Sequence, residues 1–245
     1  MHHSSGQADL DRGVSPQEIA RFDALASRWW DPDGPMKPLH RMNPLRTGWI
    51  DHRIPPASRV LDVGCGAGLA AEALARLGHD VLGIDAAGEA LAAARAHAAD
   101  VQAGGLSLKL AYRDAVAGDL LAEGARFPVI SALEVIEHVP DPAAFLGTLA
   151  GLLEPGGVLF LSTLNRSRRS FLTAKVGAEY VMRWLPVGTH DWSKFITPAE
   201  MGALLRGAGL RVADITGLVF DPFSLRWKAG RDTGVNYLLE ARPAG

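Results

Sequence analysis

Apolar residues follow two rhythms along this chain. RVLDV (59–63), DVLGID (80–85), LSLKLA (106–111), FPVISAL (127–133), VLFLSTL (158–164), RVADITGLVF (211–220) and NYLLEAR (236–242) are short apolar or alternating runs, the pattern of β-strands. Between them lie stretches of helical spacing. Leu69 to Leu77 is one, an alanine-rich stretch from Gly88 to Ala99 is another, and a third begins at Asp141-Pro142. Strands separated by helices predict an α/β domain with a mainly parallel, seven-stranded sheet and helices on both faces.

Two helix starts are written in capping signals. Ser15-Pro16-Gln17-Glu18 and Thr197-Pro198-Ala199-Glu200 each place a hydroxyl at the cap, proline at the first helical position and glutamate at the third. After the first, Ile19, Phe22, Leu25, Ala26 and Trp29 keep helical spacing. The proline-rich stretch from Asp31 to Pro44 predicts an ordered loop or lid, with helix resuming only over Leu45 to His52. Glu154-Pro155-Gly156-Gly157 predicts a turn. Residues 1–14 read as a flexible tail without the apolar core of a secretory signal, and 15–245 as one domain whose 15–58 region is a helical lid.

The connection over 165–195 is too long for a plain loop. It combines Arg166, Arg168, Arg169, Lys175 and Arg183 with Phe171, Leu172, Val176, Tyr180, Val181, Trp184 and Leu185. This is an insert with amphipathic character, suited to a substrate lid or to an anionic membrane surface over 166–185.

Composition narrows the function. Among 245 residues, 48% are hydrophobic and 21% charged, ordinary proportions for a globular protein. The formal net charge of −2 leaves no global basic field for nucleic acid. The single cysteine, Cys65, excludes an internal disulfide and fits a reducing compartment, so a cytoplasmic location is expected. No apolar run reaches the length of a spanning helix.

Candidate chemistry begins in VLDVGCGAG. Gly64, Gly66 and Gly68 follow the first strand directly, where a backbone without side chains can approach a ligand closely. A dinucleotide fingerprint would put its third glycine at position 69, which is Leu. Asp62, just before the loop, repels a pyrophosphate but suits a ligand carrying an ammonium and a sulfonium. Asp85 ends the second strand, where a carboxylate accepts hydrogen bonds from both ribose hydroxyls. The pair describes an adenosine-plus-cation site, with Asp114 a further cofactor-binding candidate beyond the third alternating run. Cys65 reads as a small filler of the loop.

A second cluster ends the fourth strand. Glu134, Glu137 and His138 stand at i, i+3 and i+4, so a helical turn would put them on one face. Two carboxylates and an imidazole could hold a divalent cation such as Mg. Alternatively His138, with Glu134 beside it, serves as the catalytic group that deprotonates an acceptor hydroxyl. A third reading makes the pair followed by V-P-D-P a structural turn.

With these residues in view, the chain resembles the class I methyltransferases and, more closely, the ubiquinone-biosynthesis O-methyltransferases. The likeness runs from Ser15 to the terminal VNYLLEA and rests on FDALASRWWDPDGPMKPLHRMNPLR, VLDVGCGAG, LEVIEHVPDP, STLNR, VGAEY and GTHDWSKFITPAE. It implies a Rossmann-like fold and S-adenosyl-L-methionine as cofactor, with contacts at Arg46, Gly64, Asp85 and Leu133. It implies a polyprenylated phenol as acceptor at two O-methylation steps, and an acidic–histidine metal site at Glu134, Glu137 and His138. It also implies a cytoplasmic enzyme, peripheral to the inner face of the membrane and associated with other quinone-biosynthesis enzymes. Pro128, where the family carries an acidic residue, should affect only the entrance of its strand. The rival readings are a methyltransferase for another small phenol or a carbon acceptor, a nicotinamide dehydrogenase, and a non-catalytic adenosyl-binding protein.

Overall fold

A computed structural model describes residues 15–170, 192–221 and 226–244. The predicted tail over 1–14 therefore lies outside the described residues. So do Phe171, Leu172, Lys175, Val176, Tyr180, Val181, Arg183, Trp184 and Leu185 of the insert.

The strands are β1 (Arg59–Val63), β2 (Asp80–Asp85), β3 (Leu110–Asp114), β4 (Phe127–Leu133), β5 (Leu153–Leu164), β6 (Leu210–Asp221), β7 (Arg226–Gly230) and β8 (Asn236–Pro243). They form one sheet in the order β3-β2-β1-β4-β5-β8-β6-β7. The five strands from β3 to β5 are parallel, and β8 turns the sheet by pairing antiparallel with both β5 and β6. Seven strands were expected and eight are described. The additional one is β7, a short antiparallel edge on β6 that no apolar alternation announces.

The helices longer than one turn are α1 (Pro16–Asp23), α2 (Lys37–Asp51), α3 (Leu69–Arg76), α4 (Gly88–Ala103), α5 (Ala117–Ala122), α6 (Pro142–Leu152) and α7 (Pro198–Gly207). Alternation along the buried strands feeds two cores. Leu61, Ile130, Leu159 and Leu161 meet Leu146, Leu149, Met201 and Leu205 on one face. Val60, Val81, Val129, Val158 and Phe160 meet Trp49, Ile50, Leu74 and Leu91 on the other.

Three expectations are corrected. Asp31 to Pro44 is not all loop, because α2 starts at Lys37 and runs through Pro44. Pro38 sits in the first turn, where an N–H has no partner to lose, and the buried Met42, Asn43, Arg46, Thr47, Trp49 and Ile50 offset the interior proline. The Glu154–Gly157 turn is absorbed into β5 as an irregularity, since the register jumps between Phe127 and Val129 around Pro128. The strand expected over 106–111 begins only at Leu110.

Candidate active site

The glycine loop is tied to the sheet before any ligand is considered. The backbone N–H groups of Gly64 and Cys65 both donate to the carbonyl of Ile84, at 2.9 and 3.0 Å. Gly64, Gly66 and Gly68 all have positive φ, at 68°, 53° and 86°, a region that favours glycine. Their surroundings also exclude a side chain. A Cβ on Gly64 would lie 2.6 Å from Val135, one on Gly66 would lie 2.5 Å from the Trp29 ring, and one on Gly68 would strike the Tyr112 hydroxyl.

Asp85 stands at the end of β2 facing this loop. One carboxylate oxygen accepts from the Gly66 N–H at 2.7 Å and the other from the Ala87 N–H at 2.8 Å. Each oxygen keeps a lone pair for a ribose hydroxyl. Asp114 ends β3 directly beside Asp85 in register, and it is exposed. Asp62 is buried under the loop. Ser131 Oγ donates to its Oδ1 at 2.6 Å, whereas its Oδ2 has no partner. Burial pushes this carboxyl up to about 6, against the pull of Ser131 and Arg46. Arg46, on α2, is buried with its Nε unpartnered, and Glu134, Asp62 and Glu137 oppose the effect of burial on its charge. An orphaned carboxylate oxygen and an orphaned guanidinium nitrogen, on residues close enough to act on each other's charge, fit the ammonium and carboxylate of an amino-acid-bearing cofactor. Leu133 is buried at the end of β4. Cys65 is buried in the loop and burial pushes its thiol up, which agrees with a filler.

The acidic–histidine segment does not form the expected shared face. Glu134 sits at φ 58°, a left-handed break, and only Ile136–His138 turns, as a 3₁₀ helix. The three side chains therefore diverge. Glu134 accepts from Ser162 Oγ at 2.7 Å and from Asn236 Nδ2 at 3.3 and 3.4 Å. Glu137 is buried and accepts from Thr163 Oγ1 at 2.9 Å, and burial followed by the nearby Glu134 pushes its carboxyl up. His138 Nδ1 lies 3.1 Å from Glu18 Oε2, and Phe22 packs edge-on against its ring. Among the described residues no group of three His, Cys, Asp or Glu side chains gathers that could hold a metal ion, so the metal set expected at Glu134, Glu137 and His138 is not assembled.

Sequence reading missed several contributors. Glu18 was expected to cap α1 together with Ser15, yet Ser15 makes no side-chain cap and Glu18 reaches across to His138. Contact with His138 is the largest influence on Glu18, and it lowers this carboxyl to about 2 despite burial. Burial pulls the imidazole down, but Glu18, Glu137 and Glu134 outweigh it and its pKa is raised. Trp29 and Trp30 close over the loop, Trp30 Nε1 donating to the Ala67 carbonyl at 3.0 Å. Ser131, Ser162 and Thr163 were visible only as polar interruptions of buried strands.

A glycine loop, an acidic strand end and a buried arginine–aspartate pair at the carboxyl edge of a parallel sheet define an S-adenosylmethionine-dependent methyltransferase. A methyltransferase-domain family matches residues 36–215. The magnesium protoporphyrin IX methyltransferase of Synechocystis PCC 6803, solved with bound SAH, shares the fold with TM-score 0.58 and 20% identity over 84% of this chain and 83% of that one. Relatives in Azorhizobium caulinodans and Cereibacter sphaeroides, both named ubiquinone biosynthesis O-methyltransferase, are 46% and 48% identical. The alignments cover 94% and 92% of this chain and 94% and 95% of the relatives. The chain belongs to the ubiquinone biosynthesis O-methyltransferase family.

Proposed function

We propose that this enzyme methylates ring hydroxyls of polyprenylated phenols at both O-methylation steps of ubiquinone assembly, with His138 as general base. The observation that carries this is the meeting of two sites at one edge. The glycine loop leaves β1, and the His138 segment leaves β4, its parallel neighbour. S-adenosylmethionine supplies an electrophilic methyl group on a sulfonium, and becomes a neutral thioether when an oxygen lone pair takes that methyl. Asp85 orients the ribose, Arg46 and Asp62 hold the amino-acid end, and the glycines keep the approach free of side chains. A phenol is a weak nucleophile until it loses its proton, which His138 accepts at Nε2. Glu134, braced by Ser162 and Asn236, places a negative charge where an imidazolium forms.

A cation such as Mg is the weaker form of this reading. The diverging Glu134, Glu137 and His138 do not fit a shared ion, so no step is routed through one. The prenyl tail of such an acceptor favours work at a membrane surface, reached from the cytoplasm. No described helix is long and apolar enough to cross a membrane.

The test is methyl transfer to a prenylated catechol, to its unprenylated counterpart and to a carbon acceptor, each with and without excess chelator. Turnover should be highest on the prenylated catechol and survive chelation. Preference for the unprenylated phenol would point to a soluble acceptor. Loss in chelator with recovery in Mg would return the metal.

A further inference from the structure

Glu18 belongs to no motif of the cofactor site, yet it is directed at the acceptor site from the far end of the chain. Its carboxylate side chain is largely buried, 16% exposed, with Oε2 3.1 Å from His138 Nδ1, an ion-pair distance at which Oε2 makes no aligned hydrogen bond. Lys194 Nζ lies 3.6 Å from its other oxygen and Arg21 3.7 Å from Oε2. Phe22, one turn along the same helix, stands at 84° to the His138 ring with centroids 5.3 Å apart. The imidazole is therefore gripped on one edge and one side by α1. Among the described residues its Nε2 has no hydrogen-bond partner.

The helix itself is pinned. Asp23, at its last turn, accepts from the Glu89 and Ala90 N–H groups at 2.9 and 3.3 Å, first-turn donors of α4 that have no partner within the helix. Because α4 follows Asp85, the position of Glu18 is set by the same strand end that meets the cofactor.

From this geometry we infer that Glu18 is a positioning residue for methyl transfer: its negative charge beside Nδ1 of His138 keeps the ring proton there and leaves Nε2 for the acceptor oxygen. This rests on His138 being the base. A carboxylate charge beside one ring nitrogen favours the tautomer with its proton there, and so leaves the other nitrogen to take a proton. The rival is a structural one, in which the pair merely docks α1.

A double-mutant cycle separates them. Glu18→Ala, Glu18→Asp, His138→Ala and the double variant Glu18→Ala/His138→Ala are each assayed for kcat and KM, and for SAH affinity by calorimetry. His138→Ala should lose roughly 100-fold or more in kcat. Glu18→Ala should lose roughly 10- to 100-fold in kcat, with KM and SAH affinity within about twofold. Glu18→Asp should fall between Ala and the parent. The double variant should be no slower than His138→Ala alone, because Glu18 acts only through the ring.

Equal fractional loss from Glu18→Ala in both backgrounds would overturn the inference. So would near-parental kcat of Glu18→Ala beside a crippled His138→Ala, and in that case the base would stand. Full turnover by His138→Ala would instead remove the base and the inference with it. If Glu18→Ala does not fold, Glu18→Asp carries the cycle, and additive losses with His138→Ala count against positioning.

Discussion

Asp62 is a case in which one residue's environment makes a measurable demand. A carboxyl pushed up to about 6 by burial holds a proton in the ligand-free protein at mildly acidic pH. If Asp62 takes the cofactor's ammonium at Oδ2, as proposed, it must do so as the carboxylate, and binding must first expel that proton. Affinity for S-adenosylmethionine should therefore be flat above pH 6 and weaken by up to about tenfold per unit below it. For folding the sign is opposite: the raised pKa favours the ligand-free fold at low pH, and that contribution is lost as pH rises from 3.8 through about 6. Calorimetry between pH 5 and 8 checks the first part, and Asp62→Asn should remove the dependence. A constant affinity across that range would separate Asp62 from the ammonium. Asp62 could be singled out from sequence because it stands two residues ahead of a glycine loop. Its partner Ser131 was not, since a serine inside FPVISAL carries no sign of what lies across the sheet.

Among the elements, α1 shows how a correct local signal can have a different use. The S-P-Q-E pattern does begin a helix, but Glu18 lies against the half-buried His138 and the Ser15 cap is left unmade. A contact between a largely buried carboxylate and a ring nitrogen outweighs a cap at the helix start. At Thr197–Glu200 one carboxylate oxygen pairs with Arg166 while the other stays with the cap, so the capping box closes, with Thr197 accepting from the Glu200 N–H at 3.3 Å. Local spacing cannot tell these two cases apart. Asp23 ties α1 to the core from its other end, so Asp23→Ala should cost about 1 kcal/mol, read as a lower melting temperature. It should also slow turnover more than the loss of stability explains. Unchanged kcat in a destabilised Asp23→Ala protein would show that α1 does not guide the chemistry.

For the whole molecule, the alternation of strands and helices made the α/β class readable, because central parallel strands must be apolar on both faces. The eighth strand was hidden because an exposed edge needs no apolar face. Charge on the insert side is also less free than its sequence suggests. Arg166 pairs with Glu200 and Arg169 with Asp232, whereas Arg168 makes no ion pair among the described residues. If the enzyme visits an anionic surface, Arg168→Glu should weaken co-sedimentation with anionic vesicles more than Arg169→Glu, and salt should weaken both. Equal sedimentation by the Arg168→Glu protein would leave delivery of the acceptor to some other route.

The place of β8 also orders events during synthesis. It is the last strand in sequence but lies inside the sheet, between β5 and β6. A nascent chain on the ribosome can assemble the parallel half, glycine loop included, while the hydrophobic margin of β5 stays unpaired. Asn236, the brace of Glu134, leaves the exit tunnel only with β8. The Glu134 end of the sheet is thus the last part to form, and until then the unfinished margin is an invitation to chaperones or to another nascent copy.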